Sequence, residues 1–366
     1  MLFEFDSSIR NIDPNDPNQT DGIETLLSTY RKQNHVVFMR LADVPILSKK
    51  IGSFLSAGSR AALTTLYNNL PEYKIISEQI KRKIVVYIEN KEKNGVFKEK
   101  EIWHIPLQKF SSTNIVESAL IGEDPSDAEI LLEFARHYCE IEKLRNFITK
   151  ARLLNGGGAN TSKTLATYLK SEHSPCLCVT DSDKYHPNFR ESSTTKKCRE
   201  IATQHSNHVV EHFSLSEREM ENLVPRELLK KVAKKDSFFE TIESEILSDH
   251  EHWKYLDIKN GVHFKWIKKQ DGPTEKYWKK SVKFFERRIK ICPQCKATGI
   301  LDDENECTCT FVSGLGNSIL SNVVLHMQRQ KPTLNLRDMQ EDIRWKDIAR
   351  TVFEYSVAPK AGEKAH

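Results

Sequence analysis

The pattern of apolar and polar positions predicts short strands and amphipathic helices in the first third of the chain. Residues 35–41 (HVVFMRL) form an apolar run typical of a strand, and residues 44–70 carry apolar side chains at helical spacing. Residues 83–89 and 96–105 predict a β-hairpin with its turn at Asn94-Gly95. We therefore expect an N-terminal α+β domain over residues 1–112.

The middle of the chain alternates strand and helix patterns. Apolar runs within ESALIGE, TKARLLN and CLCVTD are separated by helical patterns that begin at Ser126 and Thr161. Such alternation predicts βαβ units with a parallel sheet, and therefore an α/β domain over residues 113–240. Ser126, with Glu129 three residues later, predicts the N-cap of the first of these helices. Residues 241–366 read as a mainly helical domain whose last nine residues fray.

Acidic residues follow the predicted strands of the α/β domain. In such sheets the ligand site lies at the carboxyl ends of the strands. Carboxylates gathered there repel one another unless a cation neutralises them, and Mg²⁺ or Mn²⁺ prefers such oxygen ligands. One or two such ions would clamp a phosphodiester and activate water. A glycine turn at residues 156–158 would let a phosphate approach the backbone. The candidate catalytic and metal-binding acids are Glu123, Asp127, Asp181, Asp183 and Glu221.

Charge is unevenly distributed along the 366 residues. The net charge is only +4, yet residues 254–290 contain twelve Lys or Arg and four Asp or Glu, with aromatic residues between them. Basic side chains bind phosphates and aromatic rings can stack on bases, although we expect most of these aromatic rings to lie in the core. The predicted nucleic-acid contacts are Lys163, Lys184, Lys279, Lys280, Lys283, Arg287 and Arg288.

Four of the eight cysteines are clustered within residues 292–309. They are Cys292, Cys295, Cys307 and Cys309. Two pairs of thiolates separated by eleven residues are typical of a structural Zn²⁺ site, although the second pair is Cys-x-Cys and not the usual Cys-x-x-Cys. Four thiolates leave no open position on the ion, so this zinc would stabilise the fold and take no part in catalysis. Redox-active or unliganded thiols are the alternative.

Over residues 113–225 the chain resembles the Toprim domain, and in particular the nucleases of the overcoming-lysogenization-defect type. Residues 122–127 match its Glu-containing motif, with Asp124 where glycine is usual; residues 155–158 match its glycine turn, 181–183 its Asp-x-Asp, and 221–225 a further acidic stretch. The resemblance implies Mg²⁺-dependent cleavage of nucleic acid. Glu123 would act as general acid/base or metal ligand, Asp181 and Asp183 would hold metal, and Asp127 and Glu221 would complete a second metal position.

The resemblance also has implications for biological context. Stand-alone Toprim nucleases resemble effectors of bacterial anti-phage defence, so we expect a regulatory protein partner, for which an ATPase is a candidate. The substrate is left open between DNA and RNA, as is homo-oligomerisation. The absence of a long apolar run and of a basic, apolar leader favours a cytoplasmic protein without membrane contact.

Two alternative functions remain open from the sequence. Residues 157–164 (GGANTSKT) differ by one residue from a P-loop, with Ser162 where the second glycine should be, which would make the protein an NTPase. The other alternative is a non-catalytic protein that binds nucleic acid or a partner and whose acids hold a structural ion. Topoisomerase and primase activities are disfavoured, because the sequence shows no tyrosine-bearing domain or further primase modules.

Overall fold

The computed structural model describes residues 1–90, 94–233, 250–285, 292–298, 308–330, 339 and 344–360. Contacts divide the chain into two compact units. Unit 1 comprises Met1–Cys178, Cys198–Phe213 and Lys346–His366, and unit 2 comprises Val179–Lys197 and Ser214–Trp345. The units leave the predicted domain borders at residues 112 and 240 untested, and these stay predictions.

The first sheet of unit 1 has five strands in the order β2-β1-β3-β5-β4. Every neighbouring pair is parallel except β4 and β5. The strands are β1 (Leu2–Phe5), β2 (Val36–Phe38), β3 (Lys83–Tyr87), β4 (Phe97–Glu99) and β5 (Ile102–Pro106). The helices of this region are α1 (Pro17–Arg31), α2 (Asp43–Ile51) and α3 (Ala57–Gln79). The single helical pattern over residues 44–70 is therefore two helices.

The predicted hairpin between residues 83–89 and 96–105 is wrong. β3 and β5 are parallel neighbours, and the antiparallel hairpin joins β4 to β5 through a turn at Lys100, whose φ is 55°. The parallel register sets Ile84 beside Trp103, and each is only 1% exposed. Asn94-Gly95 is a local turn signal, whereas burial of these apolar side chains decides which strands pair.

The second sheet has four strands in the order β10-β9-β6-β8 and confirms the predicted parallel α/β architecture. β6 pairs in parallel with both β8 and β9. All residues of β6 and β9 are buried, as expected for interior strands of a sheet covered on both faces. The strands are β6 (Ala119–Gly122), β8 (Arg152–Asn155), β9 (Cys176–Thr180) and β10 (Val210–Ser214). The helices that follow β6, β8 and β9 are α4 (Pro125–Ile141), α5 (Thr161–Ser171) and α6 (Ser193–Gln204).

The core of this sheet packs aliphatic and cysteine side chains together. Ile121, Leu165, Cys176, Cys178 and Cys198 are all fully buried. Burial raises the pKa of the Cys176 thiol, so this cysteine behaves as a small apolar side chain.

The C-terminal segment packs within unit 1. Helix α13 (Lys346–Ser356) contacts α4, and strand β13 (Val357–Pro359) pairs with β7 (Phe147–Thr149) in antiparallel fashion. The expectation that the last nine residues fray is wrong for Ala358 and Pro359, which are buried in β13. Hydrogen-bonded pairing with β7 orders these residues, and the local sequence gives no sign of that pairing. Residues 361–366 lie outside the described residues.

Unit 2 is mainly helical in its described part and contains one small antiparallel sheet. β11 (Gly261–His263) pairs with β12 (Thr310–Ser313). The helices are α7 (Arg226–Val232), α8 (His250–Trp253), α9 (Phe264–Lys268), α10 (Gly272–Phe285), α11 (Pro293–Thr298) and α12 (Ile319–Arg329). Trp253 and Trp278 lie in its core and are 0% and 1% exposed.

Candidate functional site

Glu123 directly follows β6 and holds the glycine turn that follows β8. The backbone N–H groups of Gly157 and Gly158 donate hydrogen bonds of 2.9 and 3.0 Å to the Glu123 carbonyl oxygen, and Gly156 N–H donates to Gly122 at 2.8 Å. Gly157 and Gly158 have φ values of 74° and 57°, a conformation that favours glycine. The glycine turn is therefore built onto the end of β6.

Asp127 has a defined role at the start of helix α4. The helix begins at Pro125 with Asp124 as its N-cap, so the expectation that Ser126 is the N-cap is wrong. Asp124 is extended and precedes a proline whose missing N–H costs nothing in the first turn. The buried Asp127 carboxylate accepts a hydrogen bond of 2.8 Å from the Asp124 N–H. Part of the reason for an acid at position 127 is thus structural.

Two N–H groups of the glycine turn are directed at the protein's own backbone. In a P-loop, backbone N–H groups point at the phosphates of the nucleotide. Here the N–H groups of Gly157 and Gly158 donate to Glu123 instead. Ser162 is buried, and Lys163 is exposed in the first turn of α5. The NTPase alternative stays open, because these two hydrogen bonds describe only the first residues of the motif.

The Asp-x-Asp segment lies in unit 2 immediately after β9. The half-buried Asp181 accepts a hydrogen bond of 2.9 Å on its carbonyl oxygen from the Thr195 hydroxyl. Ser182 is buried, and its hydroxyl donates to the Glu217 carbonyl oxygen at 2.6 Å. The Asp183 N–H donates to the Arg218 carbonyl oxygen at 3.1 Å. The structure therefore joins the Asp-x-Asp segment to the residues that precede Glu221.

Asp183 has an unusual backbone conformation. Its φ is 54°, in the left-handed region, and its side chain is exposed. Aspartate enters this region more readily than most residues, yet the conformation still costs on the order of 1 kcal/mol. Strained residues of this kind are concentrated at functional sites.

Glu221 is presented by a short 3-10 helix, Met220–Leu223, which Asn222 fixes in place. The buried Asn222 amide donates to the carbonyl oxygens of Trp253 and Leu256 at 2.6 and 3.0 Å. Glu221 itself is fully buried, and the Lys259 ammonium lies 3.3 Å from its Oε1. Asn222 is therefore a structural residue, while Glu221 is a buried carboxylate paired with a lysine.

Four charged residues of this region were not among the predicted site residues. Arg218 binds Asp257 at 2.8 Å and Glu219 at 2.9 Å, and Lys259 pairs with Glu221. Burial, followed by repulsion from Asp257, raises the pKa of Glu219. Glu219 stands two residues before Glu221 in the same acidic stretch, which is a signal that the sequence did offer. Nothing in the sequence indicated that Asp257 and Lys259 would meet them.

Three cysteines of unit 2 form a candidate metal centre. The Sγ atoms of Cys292, Cys295 and Cys309 lie within 4.8 Å of one another, and Cys295 is 2% exposed. They could bind a metal such as zinc. Within the described part of the chain, this is the only group of three or more Cys, His, Asp or Glu side chains that approach so closely. Cys307 lies outside the described residues.

The predicted nucleic-acid contacts differ in their surroundings. Lys280 and Lys283 are exposed on α10, and Lys184 is half-buried. Lys279 pairs with Glu275 on its own helix at 2.6 Å, so its charge is already partly satisfied. Arg287 and Arg288 lie outside the described residues.

Comparison with known proteins does not identify a relative: no family model, curated protein or solved structure matches the chain. Among the helices that the structure describes, none is both long and apolar enough to cross a membrane.

Proposed function

We propose that the protein is a metal-dependent nuclease that cleaves phosphodiester bonds with a Toprim-like acidic site. One observation carries the proposal. β8, β6 and β9 are adjacent parallel strands, and each is followed by one of the predicted motifs: the glycine turn, Glu123 and Asp181. Ligand sites of such sheets lie outside the carboxyl ends of the strands.

The chemistry of the side chains suits Mg²⁺ or Mn²⁺. The candidate residues are all carboxylates, which are the hard oxygen ligands that these ions prefer. By the resemblance, Asp181 and Asp183 would hold metal, and Asp127 and Glu221 would complete a second metal position. When bound, the metal would polarise the scissile phosphate and lower the pKa of water. Glu221 already pairs with the Lys259 ammonium, so an ion at this carboxylate would compete with that lysine.

Residues of the chain would orient the reacting groups. Asp181 is held by the Thr195 hydroxyl through its carbonyl oxygen, and the following Ser182 is fixed to Glu217. Such supporting hydrogen bonds hold catalytic groups in a fixed position throughout the reaction. Half-buried Glu123 would act as general acid or base at the end of β6.

A cleavage assay tests the proposal. Supercoiled plasmid, linear DNA and total tRNA would be incubated with the full-length protein in Mg²⁺ or Mn²⁺, beside Asp181→Ala and the surface control Glu72→Gln. We expect wild type and control to cleave at least one substrate and Asp181→Ala to cleave none. Lys163→Ala should still cleave at saturating substrate, because Lys163 is predicted only to contact the nucleic acid. ATP hydrolysis by the wild type that Lys163→Ala loses would favour the NTPase alternative. Metal-dependent binding without cleavage would favour the non-catalytic alternative.

We also propose that the cysteine centre is a structural zinc site in which Cys307 supplies the fourth thiolate. Elemental analysis of the purified protein should find one zinc per chain. Cys295→Ser should lose the zinc and lower the melting temperature. The control Cys139→Ala, at a buried cysteine outside the cluster, should retain the zinc. Full zinc occupancy in Cys307→Ser would contradict the four-thiolate site.

The biological context is likewise a proposal. The resemblance to anti-phage effectors favours a nuclease restrained by a protein partner in uninfected cells. Cells that express the wild-type gene with its neighbouring genes should then reduce phage plaque numbers, and cells with Asp181→Ala should not. Equal protection by both would separate any defence role from the acidic site.

A further inference from the structure

Trp266 lines an open pocket that also carries two exposed lysines. The pocket has a volume of about 410 Å³, within the range of small-ligand sites. Its lining consists of His263, Lys265, Trp266, Lys269 and Thr308. All of them except Trp266 are exposed, and Trp266 is half-buried. Acidic residues are missing from the part of this lining that the structure describes.

Trp266 differs from the other tryptophans of unit 2. Trp253 and Trp278 are 0% and 1% exposed and belong to the core. Trp266 contacts Trp278 at 6.0 Å between ring centroids but keeps part of its surface on the pocket wall. An aromatic surface that shares a pocket with two exposed lysines suits a nucleobase whose flanking backbone phosphates bind the ammonium groups.

The pocket adjoins the acidic loop. The ring of Tyr185, two residues after Asp183, lies 5.3 Å from the ring of Trp266. The Trp278 indole N–H donates to the Tyr185 carbonyl oxygen at 3.0 Å, and the Arg218 guanidinium lies 4.4 Å above the Tyr185 ring. Tyr185 therefore connects the wall of the pocket to the Asp-x-Asp segment within unit 2.

From this arrangement we infer that the pocket binds an unpaired nucleobase of a single-stranded nucleic acid, stacked on Trp266, with Lys265 and Lys269 on the flanking phosphates. In a duplex the bases are stacked on each other and cannot enter the pocket. The inference deepens the proposed function by naming single-stranded segments as the substrate class. Binding of the base does not depend on the proposed nuclease function, whereas cleavage of the bound strand does.

Binding in the absence of divalent metal tests the inference separately from cleavage. Fluorescence anisotropy with EDTA would compare labelled single-stranded DNA, single-stranded RNA and the matching duplexes. We expect full-length protein to bind at least one single strand more tightly than its duplex. Trp266→Ala should weaken that binding about tenfold, as expected for loss of one base stack, and leave duplex binding unchanged.

Further variants separate stacking from folding and from charge. Trp266→Phe retains an aromatic face and should keep most of the affinity. That result would show that a substitution at position 266 does not by itself unfold the site. Lys265→Gln with Lys269→Gln should weaken binding and reduce its salt dependence, whereas Lys49→Gln, at an exposed lysine of unit 1, should not.

Three results would overturn the inference. They are an unchanged single-strand affinity in Trp266→Ala, an equal loss for single strand and duplex, and no binding of any oligonucleotide by the wild type. Failure of the nuclease proposal alone would give another result. The wild type would bind single strands, Trp266→Ala would weaken that binding, and no single strand would be cleaved with metal present. The DNA and RNA arms identify which nucleic acid supplies the base.

Discussion

The acids that follow β6 and the acids that follow β9 and β10 have different structural surroundings. In unit 1, the Asp127 carboxylate binds the backbone at the start of α4, and Glu123 accepts the N–H groups of the glycine turn on its carbonyl oxygen. In unit 2, Asp183 is an exposed carboxylate on a left-handed backbone, and Glu221 is buried against Lys259. Local structure explains an acid at position 127 through a hydrogen bond to its carboxylate, whereas at position 183 it explains only why aspartate is tolerated on a left-handed backbone.

This comparison teaches that a carboxylate in the expected place is not by itself evidence of catalysis. Some of these acids stabilise the fold, and variants must therefore report on stability and activity separately. Four predictions do so, beginning with the largest expected effect.

Asp181→Asn should reduce cleavage by about 1,000-fold, because a metal ion contributes several kcal/mol to charge stabilisation in the transition state. The variant should stay folded, since it keeps the hydrogen bond from the Thr195 hydroxyl to the backbone carbonyl of residue 181. Initial rates and thermal melts measure the two effects. Wild-type cleavage by Asp181→Asn would mean that the acids after β9 are not a catalytic metal site.

Glu221→Gln should lower the free energy of unfolding by about 2 kcal/mol, because it leaves the Lys259 ammonium beside a buried neutral group. This figure lies below the usual cost of breaking a buried pair, since the Lys259 side chain is 23% exposed. Urea denaturation measures this change in the free energy of unfolding.

Two controls sharpen the result for Glu221. Glu227→Gln removes a partner of Lys230 at the surface and should cost under about 0.5 kcal/mol. Adding Lys259→Met to Glu221→Gln should recover much of the lost stability. If Glu221→Gln is as stable as the wild type, the ion pair does not explain the burial of Glu221.

Asp127→Ala should lower the free energy of unfolding by about 1 kcal/mol, the usual cost of losing a hydrogen bond at a helix start. Asp127→Asn can keep the bond to the Asp124 N–H while losing the charge. We expect Asp127→Asn to retain stability but to cleave about tenfold more slowly, in line with removal of one supporting metal contact. Ser126→Ala should change neither property. Full activity of Asp127→Asn would limit Asp127 to its structural role.

Glu219→Gln should raise stability at neutral pH by under about 1 kcal/mol. Burial and Asp257 raise the pKa of Glu219 in the folded state, so wild-type stability falls as the pH rises from the unfolded pKa to the folded pKa and stays lower above it. The amide removes this cost and can still accept the Arg218 hydrogen bond.

Melting temperatures from pH 4 to 8 measure the effect of Glu219→Gln. The advantage of the variant should be largest near pH 8 and should shrink toward pH 4, where the carboxyl becomes mostly protonated in both states. Glu200→Gln, at an exposed site on α6, serves as the control. An advantage that does not depend on pH would show that titration of Glu219 is not its cause.

The α/β elements of the middle region could be predicted because their signals are local. The apolar runs of β6, β8 and β9 and the helix that begins at Thr161 follow from residues adjacent in sequence. The same local signals failed at residues 83–105, where a turn motif predicted a hairpin between strands that are parallel neighbours. Strand pairing depends on burial against the rest of the sheet, which a turn motif does not record.

The candidate site also has features that follow from the sequence and features that depend on tertiary packing. The sequence by itself determined which acids and cysteines follow which elements, because their order along the chain is fixed and the carboxyl ends of parallel strands are known ligand positions. Only the tertiary structure decided that Lys259 meets Glu221, and that Trp266 faces a pocket with two lysines while Trp278 is in the core. Packing selects these surroundings from many alternatives that share the same sequence pattern.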